Sequence, residues 1–259
     1  MSYGLQISAS GVMTSLYRQE VFANNLANLD SIGFKADIPT VASRPGVRQE
    51  DGVWNLPSNE LLEKLGAGTM LMPNRVSMEQ GSLRTTGSKM DVAIEGKGFL
   101  VVEDSEDSAN PQKLTRDGRM VRNKQGVLSM AGTGLPVMSE NDQPIVMPDT
   151  GTIKIDSDGT IYMDDIKVAK LKFIELPDNA VYRKVGHGMF EVEKTALRKA
   201  GEASGLIRQG VIEEAAVDEL KALMNVTNAT REVDANVDAM KAHDRLMDRA
   251  ITSLGRAVI

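Results

Sequence analysis

The sequence predicts an α+β chain: one long amphipathic helix at each end and an all-β domain, an irregular sandwich or barrel, between them. Three observations carry this. An apolar repeat with alternating steps of four and three residues runs near each terminus. Alternating apolar runs broken by closely spaced turn signals fill the middle. No proline precedes Pro39 or follows Pro177, so nothing of that kind interrupts either terminal repeat.

Composition sets the limits. A chain of 259 residues with 41% hydrophobic residues can bury a sizeable core, in one or two domains. Thirty basic against 36 acidic side chains give a net charge of −6, which argues against sequence-independent nucleic-acid binding, since that needs a basic face. With no cysteine, disulfides, thiolate nucleophiles and zinc–thiolate sites are excluded.

In the N-terminal helix the repeat is Leu5, Ala9, Val12, Leu16, Gln19, Ala23 and Leu26, all apolar but Gln19. It runs into "ANNLANLDSIGFK", Ala23 to Lys35, where Asn24, Asn25 and Asn28 fall within five residues. Each asparagine costs a helix interior about half a kcal/mol against alanine, because its side chain competes for backbone hydrogen bonds. One reading is that they end the helix, with Gly33 in the turn and Phe34 folding back. The other is that they stand beside the seam and fix its register against neighbouring helices. Helix and turn are expected over 1–36. The stretch 37–74 holds Pro39, Pro45, Pro57 and the lone Trp54 and is expected as an extended linker or loop.

The β-domain is expected over 75–200. "MDVAIEGKGFLVVE" alternates, breaks at Glu95–Gly98 and resumes, as two strands around a turn. Further turn signals fall at Asp117-Gly118, Gln125-Gly126, Gly132–Gly134, Asn141-Asp142, Asp158-Gly159 and Asp178-Asn179. Ile166 to Leu176 reads as one long strand or a strand pair. The C-terminal helix is expected over 201–259. Its repeat is Val226, Thr230, Val233, Val237, Met240, Asp244, Met247, Ile251 and Leu254, apolar except at Thr230 and Asp244. Glu213, Glu214, Asp218 and Glu219 lie near its start and Arg245, Arg249 and Arg256 near its end, which complements the helix dipole.

No catalytic set, cofactor or metal site is expected. "DSDGTIYMDD" lacks the third ligand and distal glutamate of a calcium loop and reads as a hairpin turn. "IEGKGF" and "TTGSK" lack the phosphate-loop spacing. His187 and His243 are isolated in sequence. The opening "MSYGLQISASG" has no basic region and no sustained apolar run, so no cleaved secretory signal and no membrane insertion are expected. Two seam-bearing helices at opposite ends cannot be covered by a β-domain that closes on itself. They must pack on each other, on other chains, or both, and a head-to-tail contact that does not close builds a helical filament.

These residues carry a resemblance. "ANNLANLDSIGFK" resembles the signature A-N-N-[LI]-A-N-x-x-T-x-G-[FY]-K of the bacterial flagellar rod and hook axial proteins, with Ser31 in place of threonine. "QGSLRTTGSKMDVAIEGKGFLVV" (Gln80 to Val102) and "LTRDGRMVRNKQGVL" (Leu114 to Leu128) are similar to the second and third motifs of that family, and "QGVIEEAAVDELKALMNVTNATREVDAN" to its C-terminal one. Departures are Ala215-Ala216 for the Ser-Asn pair that would cap the C-terminal helix, Leu100 for a second Phe, and Val233 for an aromatic. The length leaves no room for the outer domain of hook proteins. The opening and the short β-domain resemble the proximal-rod type more than the distal-rod or hook-like types.

The resemblance implies that the terminal helices pair into a coiled-coil-like inner domain lining a tube, with the β-domain outside. It implies a non-enzymatic structural subunit exported unfolded through the flagellar type III apparatus, without a cleaved signal. Such a subunit works in the periplasmic part of the basal body, against other rod subunits, the export apparatus and the basal-body rings. The expected assembly seam is Leu5, Val12, Leu16, Leu26, Val226, Val233, Val237, Met240, Met247, Ile251 and Leu254. The motif residues are Asn24, Asn25, Asn28, Gly33 and Phe34. Outside the resemblance, a secreted β-rich binding module or hydrolase is the competing class.

Overall fold

The computed structural model describes residues 3–50, 52, 55, 66–107, 110–177 and 179–256. Two units are present: a helical one from residues up to 27, 37–75 and 218 onward, and a β-unit from 28–36 and 76–217. The architecture is α+β, and the described strands form several sheets, none of them a closed barrel.

In the helical unit, α1 (Tyr3–Ala27) lies against a long C-terminal helix, Glu219–Arg256, which becomes α4 once the short α2 (Val47–Glu50) and α3 (Lys194–Arg198) are counted. The stretch expected as linker carries β1 (Asp37–Ser43) and β2 (Thr69–Val76), which pair into a two-stranded ribbon. A two-stranded ribbon is marginal alone, and hydroxyls of α1 anchor this one. Thr69 N donates to Ser10 Oγ at 3.2 Å, and the Thr14 and Thr69 hydroxyls share a bond of 3.1 Å. Trp54 and Pro57 lie outside the described residues, as does Asp178 of one expected turn.

The β-unit contains β3 (Leu83–Thr85), β4 (Val92–Glu95), β5 (Phe99–Glu103), β6 (Gln112–Thr115), β7 (Met120–Arg122), β8 (Leu128–Met130), β9 (Ile153–Ile155), β10 (Thr160–Met163), β11 (Ile166–Lys170), β12 (Phe173–Glu175), β13 (Arg183–Gly186), β14 (Met189–Glu191), β15 (Gly201–Glu202), β16 (Leu206–Gln209) and β17 (Val211–Glu213). Six of them form one sheet in the order β13-β14-β6-β5-β12-β15, and β9, β10 and β11 form a second. The pairings among the described strands of the unit are antiparallel, β4 with β16, β17 with β3 and β7 with β8 included. Strand β5 explains the order: Leu100 and Val102 face one apolar cluster, with Val92, Ile94, Leu128 and Ile161, while Phe99 and Val101 face another, with Leu114 and Phe190. A strand buried on both faces reads as a continuous apolar run, which is why "GFLVV" has no polar alternation.

Three expectations are corrected here. The strands flanking Glu95–Gly98 do not pair with each other: β4 takes β16, and β5 takes β6 and β12. Ile166 to Leu176 is neither one strand nor a pair, since β11 and β12 belong to different sheets. Residues 201–217 are not helical; they hold β15, β16 and β17 and belong to the β-unit. Ala215-Ala216 supply no cap, and the helix starts where Asp218 does: its Oδ1 accepts from Lys221 N at 3.0 Å. The Asp156–Gly159 segment is the turn between β9 and β10, closed by Gly159 N donating to Asp156 O at 3.0 Å.

Candidate assembly surface

The helix pair is antiparallel, because its contacts descend along α4 as they ascend along α1. Gly4 lies against His243, Gly11 against Asn236, Arg18 against Glu232 and Gln19 against Thr230. The centre of the contact is small and polar. A Cβ on Gly11 would stand 2.9 Å from Asn236 Oδ1, and one on Gly4 would stand 2.5 Å from His243 Cε1. Asn236 Nδ2 donates to Ser15 Oγ at 3.1 Å, Arg18 Nη1 to Glu232 Oε2 at 2.5 Å and Gln19 Nε2 to Thr230 Oγ1 at 3.0 Å. Ser8, Ser15, Ala222 and Ala229 are buried.

Sequence reasoning missed this row. Gly4, Ser8, Gly11 and Ser15 run in the same four–three steps as Leu5, Ala9, Val12 and Leu16, one residue ahead. On α4, Ala222, Ala229, Asn236 and His243 recur every seven residues. The periodicity was present, in small residues that let backbones approach closely rather than in large apolar ones.

The expected seam runs beside that centre. Val12, Leu26, Val226, Val233, Val237 and Met240 are half-buried. Leu5 (36%), Leu16 (41%), Met247 (46%) and Ile251 (65%) are exposed. The side chain of Leu254 lies outside what is described. The apolar row is therefore only partly covered within one chain.

The motif residues divide. Asn24 is on the exposed side of α1. Asn25 is buried and holds the backbone of Asp37 at both ends: its Nδ2 donates to Asp37 O at 2.8 Å and its Oδ1 accepts from Asp37 N at 2.9 Å. That pair imitates a strand contact and fixes the start of β1. Asn28 follows the last helical residue, and its Oδ1 accepts from Ser31 Oγ at 3.1 Å, a bond that serine makes as well as threonine would. Gly33 has φ of +67°, and a Cβ there would lie 2.6 Å from the backbone of Arg116 and Asp117. Its N–H donates to Glu213 O at 2.8 Å. Phe34 is buried beneath the Lys184 ammonium, 4.2 Å from its ring centre.

Beyond Phe34 the β-unit buries charge. Lys35 Nζ meets Glu213 Oε1 at 2.6 Å with both side chains at 0% exposure, and Arg116 Nη1 stands 3.4 Å from Glu213 Oε2. Burial is the main influence on the Lys35 ammonium and holds its pKa below the usual lysine value, against the bond to Glu213. Among the described residues no helix is long and apolar enough to cross a membrane.

Comparison with known proteins agrees with this anatomy. Residues 5–35 match the family described as flagella basal body rod protein, and residues 93–163 match the flagellar hook protein FlgE/F/G D1 domain. The chain is 25% identical over 261 residues to the flagellar basal-body rod protein FlgF of Caulobacter vibrioides, covering 99% of each. It is 26% identical over 263 residues to FlgF of Salmonella typhimurium, covering 96% of this chain and 97% of that one. It is 24% identical over 262 residues to the flagellar basal-body rod protein FlgG of Buchnera aphidicola subsp. Schizaphis graminum, covering 95% and 97%. With matches at the first helix and in the β-unit and likeness along nearly the whole length, the chain is similar to flagellar basal-body rod proteins from end to end.

Proposed function

We propose that this chain is a non-enzymatic structural subunit of the flagellar rod that polymerises through its terminal helices into a hollow tube. The tube transmits torque and conducts exported subunits. The observation that carries the reading is the partly covered apolar row: Leu5, Leu16, Met247 and Ile251 stay exposed on helices whose mutual contact uses small and polar side chains instead. Exposed apolar rows mark association, and neighbouring rod subunits, copies of this chain or related ones, are the partners that would cover them. The proximal rod is favoured over a distal-rod or hook-like position by the opening sequence and the short β-domain. Passage through the flagellar type III apparatus, without a cleaved signal, would bring the chain to the periplasmic part of the basal body, inside its rings.

The test is a charge on the seam. Leu16→Glu and Val237→Glu should leave the β-unit's thermal unfolding unchanged in the purified chain and abolish rod assembly in cells lacking the native copy. A variant that still builds a working rod would remove the seam from the proposal.

A further inference from the structure

The β-unit is entered or left by the chain along three passages, 28–36, 76–82 and 213–217. One buried cluster ties all three together. Glu213 Oε1 accepts from Lys35 Nζ at 2.6 Å and from Gly81 N at 3.0 Å, and Lys35 Nζ also donates to Glu79 O at 2.6 Å. Arg116 adds Nη1 to Glu213 Oε2 at 3.4 Å and Nη2 to Gly96 O at 2.9 Å, with its guanidinium 5.3 Å from the centre of the Phe99 ring. Backbone bonds run the same way: Gly33 N to Glu213 O at 2.8 Å, Ser77 N to Ala36 O at 2.8 Å and Glu214 N to Ser82 O at 2.9 Å.

We propose that Lys35, Glu213 and Arg116 form an ionic lock that holds the three passages as one stiff block, so that load entering along any one of them is shared by all. The load is the torque of the rod reading above, on which the purpose of the lock rests; its existence does not. Stability alone does not account for the cluster. Removing two charges from water costs as much as their attraction returns, and apolar replacements of buried ion pairs are commonly neutral. What the charges add is a single allowed arrangement. An apolar contact tolerates sliding, whereas a buried carboxylate moved off its ammonium and amide partners loses all of them at once.

The test is amide hydrogen exchange on the purified full chain, comparing wild type with Lys35→Met/Glu213→Gln. The double variant keeps the volume and an acceptor for Gly81 N and removes the Lys35 and Glu213 charges, leaving the Arg116 guanidinium on Gly96 O and the Phe99 ring. The expected result is exchange at least tenfold faster in 33–36, 77–82 and 213–216, with protection in 92–103 unchanged. Unchanged exchange in the passages would overturn the lock, as would acceleration by the same factor in 92–103, which would make the cluster ordinary core. The single variant Glu213→Gln leaves both the Lys35 and the Arg116 cation without their carboxylate and is expected to lower the melting temperature below that of the double variant; equal or higher melting of the single variant would also count against the lock. Exchange is read without assembly, so the lock and the rod reading stand or fall separately.

Discussion

The two units solve the burial problem in opposite ways. The β-unit places large apolar side chains on both faces of β5, with Leu100, Val101 and Val102 at 0% exposure. The helical unit puts glycine, serine, alanine and asparagine at the centre of the α1–α4 contact and leaves leucine, methionine and isoleucine at its margin. The first arrangement is complete in one chain. The second gives up apolar burial within the chain and keeps that surface for a partner, which is what separates a folded domain from an assembly element.

The contrast can be broken at five points. Leu100→Ala should cost the β-unit about 3 kcal/mol through lost burial and a cavity, read as a lower denaturant midpoint, with α1 helicity changed only as that unit unfolds. Gly11→Val drives a branched side chain into Asn236 and should weaken the helix pair by about 2 kcal/mol. Faster amide exchange in α1 with an unaltered β-unit is the expected signature; equal exchange would mean that the close approach is dispensable.

Asn25→Ala removes two bonds to Asp37 and should cost about 1 kcal/mol, seen as faster exchange at Asp37. Asn24→Ala should stay within about 0.5 kcal/mol in the isolated chain. If Asn24 with Asn28 sets register between subunits, their double alanine variant should impair motility while leaving the monomer's melt unchanged. The smallest effect is acid sensitivity at Glu191. Hydrogen bonds from Arg183, then Asn110, hold its carboxyl below the usual glutamate value. The unfolded chain therefore binds the proton first, and the contribution present at neutral pH disappears as pH falls through the lowered value. Glu191→Gln should flatten that part of the stability–pH curve measured by urea unfolding.

Helix existence was legible in the sequence because the four–three repeat is sustained, and turns were legible at Asp158-Gly159 and Asn141-Asp142. Pairing was not. "MDVAIEGKGFLVVE" reveals two strands but not that β4 and β5 lie in different sheets, since partner choice is a long-range matter that local periodicity does not encode. The start of α4 was misplaced because two acidic clusters precede it and only Asp218 caps. The row at Gly4 and Gly11 was missed because small residues carry little weight in a hydrophobic count. Lys35 and Glu213 are 178 residues apart, and charged side chains are by default expected in water.

The antiparallel helix pair has a consequence for the order of folding. Gln19 and Thr230, which bond across it, are 211 residues apart. Closing a flexible loop of that length costs about 5 kcal/mol in chain entropy. Once Gly33 is tied to Glu213 within the β-unit, only a few residues separate each end of the closure from its helix, and the remaining closure costs about half as much. On chain entropy alone, closing the β-unit before the helix pair is the less costly order. A chain delivered gradually, from either end, keeps α1 and α4 apart until delivery is complete.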